Sequence, residues 1–126
     1  MKKLPSFGKI KRELDKLWSQ AIRLRDGRCM VCGSKQKLNA HHCIVRRARS
    51  LATRWNFANG ITLCYTCHMF RLHSYQGCDK EFLDQYMKAV NAKVSADIQK
   101  EIIAESRKIR KFSRDELMDM MKTLQT

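Results

Sequence analysis

Four of the six cysteines stand as two C-x-x-C pairs, Cys29/Cys32 and Cys64/Cys67, with 31 residues between the pairs. No other feature constrains the fold as tightly. Two thiolates separated by two residues can bind one ion from a tight turn, and a second pair completes a tetrahedron. Gly33 behind the first pair suits the sharp turn of such a knuckle. A disulfide scaffold would need an oxidising compartment. The start, Met1-Lys2-Lys3, has the charge of a signal peptide, but Leu4-Pro5-Ser6-Phe7-Gly8-Lys9 brings no apolar stretch behind it, so secretion is not expected. A thioredoxin-type redox role would account for one C-x-x-C pair and not for two. The expectation is a closed, structural Zn²⁺ site on Cys29, Cys32, Cys64 and Cys67. Cys43 and Cys78 are read as reduced, partly buried thiols without a chemical role.

Charge narrows the partners. The chain has 126 residues and a formal net charge of +14, which is compatible with one domain. The excess is uneven: residues 1–73 hold 16 Lys/Arg against Glu13, Asp15 and Asp26, whereas residues 74–126 hold 10 against nine acids. Charge concentrated on one half repels itself unless an anion is bound, and nucleic acid is the usual reason. No apolar run approaches the ~20 residues of a membrane helix, so no membrane partner is expected.

Periodicity predicts an α+β chain. Ile10, Leu14, Leu17, Trp18, Ala21 and Ile22 form one stripe of an amphipathic helix over Lys9–Arg25, ended by Asp26-Gly27. Its other face carries Lys9, Lys11, Arg12, Lys16, Arg23 and Arg25, either a second DNA contact or an ordinary solvated face. Lys37–Val45 reads as a strand bearing His41 and His42, and Ile61–Cys64 as a second. Arg46–Trp55 reads as a basic connection, and the residues from Cys67 onward as the start of a helix. Three helices should follow. Asp79 caps Lys80–Lys93, with Phe82, Leu83, Tyr86, Met87 and Val90 inward. Ser95 caps the next, with Ile98, Ile102, Ile103 and Ile109 inward, and Ser113–Glu116 is a capping box for the last. The Met-rich stripe of that last helix suits an adaptable partner-binding surface, but the better reading is core or a homodimer seam. The organisation expected is a basic helix over 1–25, a zinc-supported motif over 26–76 and a helical extension over 77–126.

Three of the four histidines fall within or against the zinc-framed segment. Adjacent residues on a strand point to opposite sides, so His41 can face a metal while His42 faces another part of the site. His68, directly after Cys67, could complete a metal site with His41. His73 lies five residues beyond His68, awkward for one helical face, so a third-ligand role is the lesser reading and an exposed or DNA-touching side chain the better one. Arg46, Arg47, Arg49 and Arg54 form an acid-free run beside the site, for which phosphate contact is the better reading. Trp55 is read as a core anchor.

Cys29-x-x-Cys32, His41-His42, Asn59 and Cys64-x-x-Cys67-His68 together resemble the HNH endonucleases of the ββα-metal type. Residues 29–73 carry the likeness, with the run Asn59–His68 its closest part. A looser likeness is to the phage NinG/Rap-type recombination endonucleases, which resolve branched DNA. It rests on Leu17-Trp18-Ser19, Ile22–Asp26, Arg46-Arg47 and Ala52–Trp55. The resemblance implies His41 and His68 as ligands of a catalytic divalent ion, His42 as general base and Asn59, with Asn56 competing, as the residue orienting that base. It implies 5′-phosphate products and a cytoplasmic setting, that of a bacterial host if the protein is phage-encoded. The catalytic ion expected is Mg²⁺ or Mn²⁺, with Ni²⁺ and Zn²⁺ as further options, because His41 at a position often held by Asp makes the ligand set nitrogen-rich and shifts the in vitro preference away from Mg²⁺. The function expected is a DNA endonuclease acting on branched, Holliday-junction-like intermediates. The alternatives are an HNH nuclease cutting ordinary duplex, and a zinc-knuckle DNA-binding protein without catalysis.

Overall fold

The computed structural model describes residues 5–73 and 77–125. The N-terminal lysines Lys2 and Lys3 and the expected boundary at 76/77 lie outside the described residues. The architecture is α+β. A helix α1 (Phe7–Asp26) precedes an antiparallel pair, β1 (Leu38–His42) and β2 (Gly60–Cys64). A short helix α2 (Leu51–Arg54) and a 3₁₀ turn (Phe57–Asn59) lie between the strands. A π-helix (Thr66–Leu72) follows β2, and then come α3 (Lys80–Lys93), α4 (Ala96–Ser106) and α5 (Arg114–Gln125). None of the described helices is long and apolar enough to cross a membrane.

Helix α1 begins two residues before the expected start because Ser6 caps it, its Oγ accepting the Lys9 N–H at 3.2 Å. It ends at Gly27, whose φ of +72° is the left-handed conformation that lets its N–H donate back to the Arg23 carbonyl at 2.8 Å. Ile10, Leu14, Trp18 and Ile22 are buried, the stripe that the periodicity predicts. Each such side chain contributes about 1.5–3 kcal/mol on burial.

Strand β2 is buried along its whole length and divides its two faces between two helices. Ile61 and Leu63 join Phe82, Tyr86 and Val90 of α3 in one core cluster. On the α1 side, the Thr62 hydroxyl donates to the Ile22 carbonyl at 3.2 Å. Gly60 takes an extended conformation that any residue could adopt, so its role is space. A Cβ there would sit 2.6 Å from both Ile22 Cδ1 and Trp18 Cζ2. Gly60→Ala should therefore force α1 off the sheet and cost about 1–3 kcal/mol, read as a lower denaturation midpoint at unchanged m-value. An unchanged midpoint would mean that α1 does not depend on this close approach.

The expected strand over Lys37–Val45 is shorter, because the chain leaves the ladder after His42. There the Ile44 and Val45 N–H groups both donate to the Asn59 side chain. Helix α2 replaces part of the expected loop; four residues are too few to register as a period. Asp26 ties three elements together. Its buried carboxylate accepts the Thr62 N–H of β2 at 2.8 Å and pairs with Arg25 of α1 and Lys93 of α3. Burial alone would raise its pKa, but these donors hold it below the usual carboxylate value.

Asp79, Ser95 and Ser113 cap α3, α4 and α5 as expected, the last through a reciprocal box in which Ser113 N–H donates to Glu116 Oε1 and Glu116 N–H to Ser113 Oγ. The expected inward faces are narrower. Phe82, Tyr86 and Val90 are buried, whereas Leu83 and Met87 are exposed, because α3 meets the sheet on one side only. On α4 only Ile102 is buried; Ile98 and Ile103 are exposed, and Ile109 lies beyond the helix end at 95% exposure. Helix α5 packs on α1, with Leu117 buried and Met120, Met121 and Leu124 against the Ile10–Trp55 cluster. The chain itself covers most of the Met-rich stripe. The core also crosses the expected boundaries, since α1 packs with α5 and the hairpin packs with α3.

Candidate functional site

The two knuckles bring the Sγ atoms of Cys29, Cys32, Cys64 and Cys67 within 4.8 Å of one another. Zn–S bonds of ≈ 2.3 Å in a tetrahedron place the sulfurs about 3.8 Å apart, and Cys32 and Cys64 stand at 3.5 Å. Within each knuckle the second cysteine's N–H donates to the first one's sulfur, Cys32 to Cys29 at 3.5 Å and Cys67 to Cys64 at 3.4 Å. Burial pushes the Cys29 thiol up, but the N–H groups of Cys32, Cys64 and Val31 outweigh it and bring it to about 7. Cys67 is pushed up by burial and by its sulfur neighbours. Thiolates this close repel unless a cation lies between them, so the donor set fits Zn²⁺. Cys43 is apart from the cage, and burial raises its pKa to about 11.

A cleft of about 640 Å³ opens beside this cage, and all four histidines line it together with Arg46 and Arg47. His41 and His42 leave β1 on opposite sides, as strand geometry requires. His41 faces His68 and His73, with ring centroids at 5.1 and 5.3 Å, while His68 and His73 stand at 4.9 Å. One nitrogen from each of the three rings lies within 4.8 Å of the others. His73 is exposed, as expected, and yet joins the cluster despite its five-residue offset from His68. In an α-helix, residues five apart point about 140° away from each other. Here the segment is a π-helix, and the His73 N–H donates to the His68 carbonyl at 3.2 Å, five residues back. That pattern puts both rings on one side. Burial, then repulsion from His68 and His73, lowers the His41 pKa to about 3; burial also lowers that of His68. Both offer lone pairs at neutral pH. Tyr86 of α3, buried as expected, also reaches this site: its hydroxyl stands 3.1 Å from His41 Nε2. A metal-binding imidazole is commonly oriented by such a contact on its other nitrogen.

His42 lies on the other side of the strand, stacked on Trp18 at 4.1 Å between ring centroids and 14° between planes. Its Nε2 is 2.8 Å from the Arg54 carbonyl oxygen. A carbonyl only accepts, so Nε2 carries the proton and Nδ1 is left as the acceptor in the neutral ring. Burial holds the His42 pKa below its ordinary value, helped by the Arg47 and Arg54 charges and opposed by the carbonyl and Asp15. The ring is thus a neutral, fixed proton acceptor.

Asn59 makes no hydrogen bond to this ring. Its Oδ1 accepts the Ile44 and Val45 N–H groups, both at 2.9 Å, and its Nδ2 donates to the Val45 and Thr53 carbonyls. All four hydrogen-bonding positions of the amide are filled. Asn59 fixes the chain after β1 and the end of α2, next to the Arg54 carbonyl that holds His42. Asn56 does not replace it, since its Oδ1 caps the 3₁₀ turn by accepting the Ala58 N–H.

The arginines divide. Arg54 makes a two-point pair with Asp15 of α1 and lies across the Trp55 ring, with its side chain 17% exposed. Arg54 is thus engaged within the protein and is not the free cation that its reading as a phosphate contact assumes. Asp15 also accepts from buried Trp55 and from Arg47. Arg47 remains mostly exposed, and Arg46 and Arg49 are exposed. On α1, Arg25 is similarly engaged, by Asp26 and by the Phe57 and Gly60 carbonyls. No protein-family model, curated protein or solved structure matches the chain.

Proposed function

We propose that this protein is a metal-dependent DNA endonuclease of the HNH type, in which β1, β2 and the π-helix supply the two strands and the helix of a ββα-metal motif. The observation that carries the reading is the division of labour at His41-His42. One ring joins a three-imidazole cluster, and its neighbour is kept out of that cluster and fixed as a neutral base. A DNA-binding knuckle without catalysis has no use for either arrangement.

In this reading His41, His68 and His73 hold a divalent cation, and three neutral imidazoles favour Mn²⁺, Ni²⁺ or Zn²⁺ over Mg²⁺. That cation supplies Lewis-acid stabilisation of charge on the scissile phosphate and the leaving oxygen. His42 Nδ1 takes the proton from the attacking water, while the Arg54 carbonyl and the Trp18 ring keep the imidazole from turning. Arg46 and Arg47, on the cleft wall, hold the phosphate backbone. The cysteine cage keeps the two knuckles, and hence β1 and the π-helix, in register. The NinG/Rap resemblance extends the proposal to branched DNA.

The test is cleavage by zinc-loaded protein of end-labelled four-way junction, flap, linear duplex and single-stranded DNA, in Mg²⁺ and in Mn²⁺. The expected outcome is nicking that leaves 5′-phosphate ends, fastest in Mn²⁺, with the junction preferred. Equal rates on junction and duplex would remove the branched-DNA part. Tight binding without cleavage in either metal would leave a DNA-binding knuckle in place of a nuclease.

A further inference from the structure

A second concavity, of about 270 Å³, lies between the chain after β1 and the C-terminal end of α4. Arg46, Arg49 and Arg107 line it with Ser106, and no carboxylate does. Arg25, Arg47, Arg54 and Arg110 are each paired with an acid. Among the described residues, Arg46, Arg49 and Arg107 have no such partner within 4.0 Å. Three arginines that line one hollow with no carboxylate among its lining residues make it attractive to an anion. The floor is firm: Val45 packs with Val94 and Ile102, and Asn59 clamps the Val45 backbone from both sides. The hollow adjoins the histidine cleft, since Ile44 and Arg46 line both.

We propose that this hollow is a second phosphate subsite, in which Arg46, Arg49 and Arg107 grip a backbone phosphate neighbouring the one presented to the histidines. Guanidinium groups bind phosphate oxygens in pairs, which suits a phosphodiester. The volume is below the ~300 Å³ at which drug-sized ligand pockets begin, so it takes a phosphate group while the rest of the strand passes outside. The shared wall selects a polymer over a free ion, because one strand can lie across both hollows. Helix α4 thereby becomes part of the DNA surface, although residues 74–126 are almost neutral as a whole. The assignment of the neighbouring phosphate rests on the endonuclease reading; the grip on nucleic acid does not.

The experiment is equilibrium binding of labelled duplex by zinc-loaded protein, without added divalent ion, over a range of salt concentrations. Arg107→Ala is compared with Lys108→Ala, which removes the same charge from the next residue, where Lys108 already pairs with Glu105. Arg107→Ala should weaken binding and reduce the slope of log K against log salt by about 0.9, with Lys108→Ala changing it clearly less. Equal changes in both variants, or none in Arg107→Ala, would overturn the subsite. Titration of inorganic phosphate followed by calorimetry is the second arm. Arg107-dependent phosphate binding with an unchanged DNA slope would assign the hollow to a free anion and overturn the proposal. A slope change confined to Arg107→Ala in a protein that cuts none of the four DNAs would keep the subsite and remove the endonuclease reading.

Discussion

His42→Ala should lower single-turnover DNA cleavage by about 10²–10⁴, the usual contribution of a positioned proton acceptor. It should leave the zinc content unchanged and DNA affinity nearly so. The geometry separates these effects. The His42 ring touches Trp18 and the Arg54 carbonyl, while the other three histidines form a cluster of their own. His68→Ala should also stop cleavage, but by weakening the hold on the divalent ion. Excess Mn²⁺ should then restore part of the His68→Ala rate and none of the His42→Ala rate. A metal titration of both variants reads the difference. Rescue of His42→Ala alone would exchange the two roles, and full activity in both variants would refute the HNH mechanism.

Cys64→Ser should be the most destructive single change. A structural zinc site contributes about 10–16 kcal/mol of apparent binding free energy, comparable with or larger than the whole stability of a small domain, about 5–15 kcal/mol. Cys64 is the last residue of β2, buried in the cluster with Ile61, Leu63 and Phe82, and its sulfur accepts the Cys67 N–H. Opening the cage there frees both knuckles and loosens the hairpin. Zinc should fall from one equivalent to none, with a sharp drop in Tm or no cooperative transition at all. Cys43→Ser and Cys78→Ser, outside the cage, should keep their zinc. Elemental analysis finding no zinc in well-folded wild-type protein would refute the assignment.

The most legible parts were local ones. The C-x-x-C spacing, the stripe of α1, and the caps at Asp79, Ser95 and Ser113 each need only a few neighbouring residues to act. The opposition of His41 and His42 follows from strand geometry alone. The misread positions depend on partners elsewhere in the chain. Arg54 looked like a free cation because Asp15, 39 residues earlier, is not its neighbour until α1 packs against α2. For Asn59, nothing in the order of residues reveals that its amide bonds to the backbone at Ile44, Val45 and Thr53 in place of the His42 ring.

His73 marks the boundary most clearly. By itself the sequence determined that four cysteines would gather, that the two adjacent histidines would diverge, and that the helices would start at their polar caps. Each follows from backbone geometry over a few residues. Only the tertiary structure decided which side chains meet across those elements. A 3.6-residue period sends His73 away from His68, and the π-turn between them, held by one hydrogen bond five residues long, brings it back. Apolar periodicity carries no trace of that turn, because it reports which face is buried and not which carbonyl an N–H reaches. The same holds for His42: the carbonyl that fixes its ring belongs to Arg54, whose side chain is in turn fixed by Asp15 on α1.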